Sequence, residues 1–166
     1  MKKLLSIILS LSLIFTLVSC TNKVKEEKLS VSAYSEELFK NKNPYIGDNS
    51  ADMNLLNLMN IENDLGAYTI ELNTESNINS IKLIFNTPVS DSHTFDTNMY
   101  NRAYLILALI ENANEVQWTY PNESDNLITH MSVNIDEASD TLGANIKDFG
   151  KSKKSIKKLL NKIGIE

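Results

Sequence analysis

Cysteine and arginine each occur once in these 166 residues, and histidine twice. A lone cysteine excludes an internal disulfide framework and any multi-cysteine metal site. Five glycines leave little for phosphate-cradling loops, and neither Gly-x-Gly-x-x-Gly nor Gly-x-x-x-x-Gly-Lys occurs. The Gly-x-Ser-x-Gly elbow of serine hydrolases is missing too. Positive charge is scarce where it would matter for nucleic acid. Beyond residue 19 there are 14 basic and 21 acidic side chains, a formal charge of −7, so no nucleic-acid partner is expected. Apolar residues make up 42% of the chain, enough for one core, and they are spread too evenly for a polytopic membrane protein.

The one long apolar run is at the start. Met1, Lys2 and Lys3 give a short positive opening, and residues 4–18 are apolar but for Ser6, Ser10, Ser12 and Thr16. That length suits a signal-peptide core and falls short of the ~20 residues of a spanning helix. Leu17, Val18, Ser19 and Cys20 follow, and then a polar stretch. This arrangement resembles the lipobox of bacterial lipoproteins. The resemblance implies cleavage before Cys20 and attachment of diacylglycerol to its sulfur, with palmitate-type chains. A single acyl chain holds only marginally at ~0.8 kcal/mol per buried methylene, whereas two or three hold durably. The competing reading is an uncleaved anchor with an incidental cysteine. The expected organisation is a leader over 1–19, a flexible tether over 20–32, and one domain over 33–166. The expected location is the extracytoplasmic face of the cell membrane, held there by lipid on Cys20, in a Gram-positive type of envelope.

In the domain, helical spacing predicts short helices over 33–40 and 51–59. The apolar period then becomes two, with Tyr68, Ile70 and Leu72, then Ile81, Leu83 and Phe85. It returns in Val116, Trp118 and Tyr120, and in Leu127, Thr129, Met131, Val133 and Ile135. These predict four half-buried strands, paired in two hairpins through turn-rich gaps at 74–79 and 121–126. A helix apolar nearly all round is expected over 96–112, with shorter ones over 136–142 and 151–163. The expected fold class is α+β: an antiparallel sheet of about four strands with helices mainly on one face.

A family resemblance covers roughly residues 34–135. Residues 39–50 (Phe-Lys-Asn-Lys-Asn-Pro-Tyr-Ile-Gly-Asp-Asn-Ser) resemble the start of a family known as domain of unknown function 4825. Glu71, Leu72, Asn73 and Thr74 match its Glu-Leu-x-Thr strand end, and residues 103–114 and 115–119 resemble its later helix and strand. After Glu75 the chain departs from the family's Pro-Tyr-Gly-like turn. Members resemble secreted lipoproteins or extracytoplasmic domains of bacterial membrane proteins. The resemblance implies no activity and carries over no functional residue.

Candidate sites are few. Asp48, Asn49 and Ser50 form either a ligand rim at a helix start or simply a helix cap. Asp91, His93 and Asp96 have metal-ligand chemistry, although Asp96 also suits a cap. His130 is expected on the wetter face of the sheet, within reach of Glu71 or His93 or solvated. Arg102 either receives a carboxylate ligand or pairs with an acid of the chain. Tyr100, Trp118 and Tyr120 suit either a binding surface or the core. Six lysines between 151 and 162 contrast with residues 29–150, which hold five basic and 18 acidic side chains. That helix either lies on anionic lipid or docks its apolar stripe on the domain. The leading expectation is a non-catalytic lipoprotein that binds or senses an envelope protein or peptide, without a cofactor. The alternative is an envelope hydrolase with an acidic, metal-assisted site.

Overall fold

The computed structural model describes residues 29–74 and 78–165. The leader, Cys20 and the first part of the expected tether lie outside the described residues. The helices are α1 (Val31–Lys40), α2 (Asn49–Leu58), α3 (Ile61–Leu65), α4 (Ser92–Leu109), α5 (Ile135–Leu142), α6 (Ile146–Phe149) and α7 (Lys153–Lys162). The strands are β1 (Tyr68–Asn73), β2 (Ser80–Phe85), β3 (Glu115–Pro121) and β4 (Ile128–Asn134). The first helix starts two residues earlier than expected. Ser30 accepts a hydrogen bond from the Ala33 N–H and caps α1, so Val31 and Ser32 are helical.

The four strands form one sheet in the order β1-β2-β3-β4. The fold is α+β with a four-stranded sheet, but the sheet is mixed. β1–β2 and β3–β4 are antiparallel, whereas β2 and β3 run parallel, with Ile81 opposite Val116 and Leu83 opposite Trp118. The antiparallel expectation fails at this central seam for a geometric reason. Eighteen residues of α4 span about 27 Å, longer than a six-residue strand at about 20 Å. The helix therefore carries the chain back to the end where β2 began, and the next strand must run the same way.

Alternation along the strands sorts the two faces. Ile81, Leu83, Phe85, Val116, Trp118, Tyr120 and Val133 are buried. Glu71, His130 and Ser132 on the other face are exposed. α4 lies on the buried face. Phe95 sets its ring edge-on to Phe85 at 5.0 Å and against Tyr120 at 4.6 Å, and Tyr100 meets Trp118 edge-on at 4.9 Å. Such pairs contribute about 0.5–1.5 kcal/mol beyond burial. From Arg102 to Leu109 every α4 residue is buried, because the sheet covers one side and later helices cover others.

α7 docks its apolar stripe on the domain, as one of the two expectations had it. Ile156, Leu159 and Leu160 are buried, the helix packs against α1 and α6, and Lys153 pairs with Glu36 at 2.8 Å. Among the described residues, all buried apolar side chains fall between Leu38 and Leu160. Among the described residues, no helix is long and apolar enough to cross a membrane.

Candidate functional site

A groove of about 600 Å³ lies where α1, the α2–α3 junction, α4 and residues 164–165 meet. α1 contributes Tyr34, the α2–α3 junction contributes Asn57 and Asp64, and α4 contributes Asn101 and Arg102. Asn60 adopts a left-handed conformation (φ 56°), which asparagine tolerates better than most residues. It breaks the chain between α2 and α3 and turns Asp64 toward α4.

Arg102 is the centre of the groove. Only 9% of it is exposed. Its guanidinium pairs with Asp64 and donates to the Asn98 carbonyl at 3.2 Å. Its Nε is buried without a hydrogen-bond partner among the described residues. A buried donor left unpaired costs about 1–3 kcal/mol. The side chain therefore pairs with an acid of the chain, one of the two alternatives, and keeps one donor to spare. Burial pushes the Tyr34 phenol up to about 12, although the Arg102 charge pulls the other way. The Tyr34 hydroxyl and the Asn57 and Asn101 amides make no hydrogen bonds to other described residues.

The expected rim at residues 48–50 lies elsewhere. The Asp48 side chain accepts from the Ala51 N–H at 3.1 Å and caps α2, and Asn49 and Ser50 are exposed in its first turn. The neighbour that organises this turn is Asp52, which is fully buried and accepts from Asn43 Nδ2 at 2.8 Å and the Gly47 N–H at 3.0 Å. Burial pushes the Asp52 carboxyl up, while these two bonds hold it down. Gly47 has φ +106°, a region that favours glycine.

Asp91, His93 and Asp96 do not converge. Asp91, not Asp96, caps α4, accepting from the Thr94 N–H at 3.0 Å, and bonding with Thr94 holds its carboxyl below the usual range. Asp96 turns inward and accepts from Trp118 Nε1 and the Tyr120 hydroxyl, both at 2.9 Å. Among the described residues no group of three histidine, cysteine or acidic side chains is placed to hold a metal. His130 lies on the open face of the sheet opposite Thr119. Glu71 is on the far strand and pairs with Lys82 at 3.2 Å instead. Trp118 and Tyr120 are core residues at 0% and 1% exposure.

Lys147 carries no signal in the sequence, yet its ammonium is inserted beneath the end of α4. Nζ donates to the carbonyls of Leu107 at 2.6 Å, Ile110 at 2.8 Å and Ala113 at 2.6 Å. Burial lowers its pKa to about 8.

Residues 38–134, more than half of the chain, match the family model described as Domain of unknown function (DUF4825). The match ends at the last residue of β4 and leaves α5, α6 and α7 outside it. No curated protein and no solved structure matches the chain.

Proposed function

The chain belongs to that family of unknown function, and we propose that it is a lipid-anchored, extracytoplasmic binding module without catalytic activity. Its anchor is Cys20, and its ligand-binding surface is the Arg102 groove. The observation that carries the reading is the buried, unpartnered Nε of Arg102. A ligand carbonyl accepting from it would relieve a desolvated donor. Arg102 is already neutralised by Asp64, so the groove suits a neutral ligand over an anion. Spare amides at Asn57 and Asn101 both donate and accept, and Leu58 and Leu105 supply apolar wall. Alternating amide and apolar contacts fit an extended peptide. A pyranose would want an exposed aromatic face, and Tyr34, the aromatic side chain there, is largely buried. Tyr34 holds its proton to about 12, which makes it a hydrogen-bond donor and not a base at neutral pH.

Two measurements test this reading. Cys20→Ser in cells is expected to abolish labelling by a radioactive or clickable fatty acid and to leave the leader attached or the chain unanchored. Unchanged labelling, size and membrane retention would refute the anchor. For the groove, the chain from Thr21 to Glu166 is titrated with a pool of capped neutral tripeptides and followed by NMR. The Arg102 Nε–H and Asn101 side-chain resonances are expected to shift, and Tyr34→Phe with Asn101→Ala is expected to weaken binding about tenfold or more at 1–1.5 kcal/mol per lost bond. Shifts produced by chitin oligosaccharides and not by the peptides would reject a peptide ligand, and no shift with either would reject the site.

A further inference from the structure

The outer face of α7 is a row of lysines, and its position relative to Leu29 says what it meets. Lys154, Lys157, Lys158 and Lys162 recur at i, i+3, i+4 and i+8, on one side of the helix. Ile156, Leu159 and Leu160 occupy the opposite side and are buried against the domain. All four lysines are exposed. The nearby acids are already engaged, Glu36 with Lys40 and Lys153, and Asp148 with Lys151. None of the four has an acidic partner among the described residues.

The charge elsewhere has the opposite sign, with five basic against 18 acidic side chains over residues 29–150. The molecule is therefore polarised, with a basic helix on an acidic body. The basic helix also ends where the chain comes in. Leu29 and Val31 from the amino end line the same groove as Gly164 and Ile165, just past the end of α7. Only residues 21–28 separate Leu29 from Cys20, a reach of at most about 30 Å when extended. Lipid on Cys20 thus keeps Leu29 within that distance of the bilayer and, through the shared groove, brings the end of α7 near it.

We infer that the lysine face of α7 lies on anionic phospholipid headgroups and turns the acidic body outward. The apolar stripe is spent on the domain, so contact is electrostatic and does not involve insertion of the helix. Each lysine near a negative surface adds attraction that falls off within a Debye length, so salt weakens it. The inference rests on Cys20 as the anchor only for where the membrane is. The surface itself is tested without the lipid, so failure of the anchor and failure of the surface read out separately.

The chain from Thr21 to Glu166 retains the whole core and is sedimented with vesicles of phosphatidylcholine, with or without phosphatidylglycerol. Binding is expected only when phosphatidylglycerol is present, and it is expected to drop by roughly tenfold or more in molar salt. Joint replacement Lys154→Glu, Lys157→Glu, Lys158→Glu and Lys162→Glu is expected to lose it, and the four-glutamine counterpart to weaken it, both melting like the parent. If the charge-reversed chain melts early, the glutamine set decides. Equal binding to pure phosphatidylcholine, no binding to either vesicle, or undiminished binding by the substituted chain overturns the inference.

Discussion

Gly150→Ala is expected to destabilise the fold severely. Gly150 closes α6 with an ordinary right-handed backbone (φ −81°), so the demand for glycine is steric and not conformational. A methyl group there would sit 1.8 Å from the Ala108 carbonyl oxygen and 2.9 Å from its carbon. The obstacle is helix backbone, which cannot rotate aside as a side chain would. Relief requires α6 to move off α4, and that movement would unseat Phe149 and the α7 stripe behind it. Ordinary overpacking costs about 1–3 kcal/mol, and a backbone overlap of this depth belongs above that range. A melting temperature lowered by about 10 °C or more, or insoluble expression, is the expected result. A variant that melts within two or three degrees of the parent, at about 2–4 °C per kcal/mol, would contradict the close approach.

Lys147→Met is expected to come next in severity. Methionine matches the length of the lysine stem and fills the same space, but it donates nothing. The Leu107 carbonyl has no helical partner, because the Glu111 N–H that would serve it donates to the Asn43 carbonyl at 2.9 Å. Ile110 and Ala113 present two further carbonyls at the same place. Losing a charged donor to buried acceptors costs about 3 kcal/mol or more when several are stranded together. Lysine also complements the negative end of the α4 dipole. The pH dependence separates this role from simple packing. The pKa of Lys147 is about 8 in the folded chain against 10.5 ordinarily. Between those values the unfolded chain binds more protons, so stability rises with pH through this group. The gap between parent and Lys147→Met is therefore expected to widen from pH 8 toward 10.5. Urea titrations on either side of pH 8 check it, and a gap that narrows would contradict the sign.

Both positions show why some of the molecule was legible in its sequence and some was not. Strands could be read because alternation is local: Ile81, Leu83 and Phe85 declare a buried face without reference to any partner. α4 could be read because apolar residues on all sides leave burial as the only outcome. The parallel β2–β3 seam could not be read, because each hairpin records only its own pairing. α3 and α6, at five and four residues, are too short to show a helical period. Asp96 suited a helix start, and only the inward donors of Trp118 and Tyr120, which leave the cap to Asp91, show otherwise. The groove rests on Arg102 meeting Asp64, 38 positions away. Lys147 reaches acceptors 34 to 40 residues distant, and nothing near it in the chain distinguishes it from the solvated lysines of α7.

The meeting of Leu29 and Ile165 at one groove bears on how the molecule can be handled. A fluorescent protein or affinity tag joined after Glu166 would emerge beside Ile165, over the mouth of the cavity, and would compete with whatever docks there. Residues 123–126, an exposed turn between β3 and β4, line no part of that cavity. Reporter insertions there would leave the opening clear, and imaging or pull-down work would then sample an unobstructed molecule.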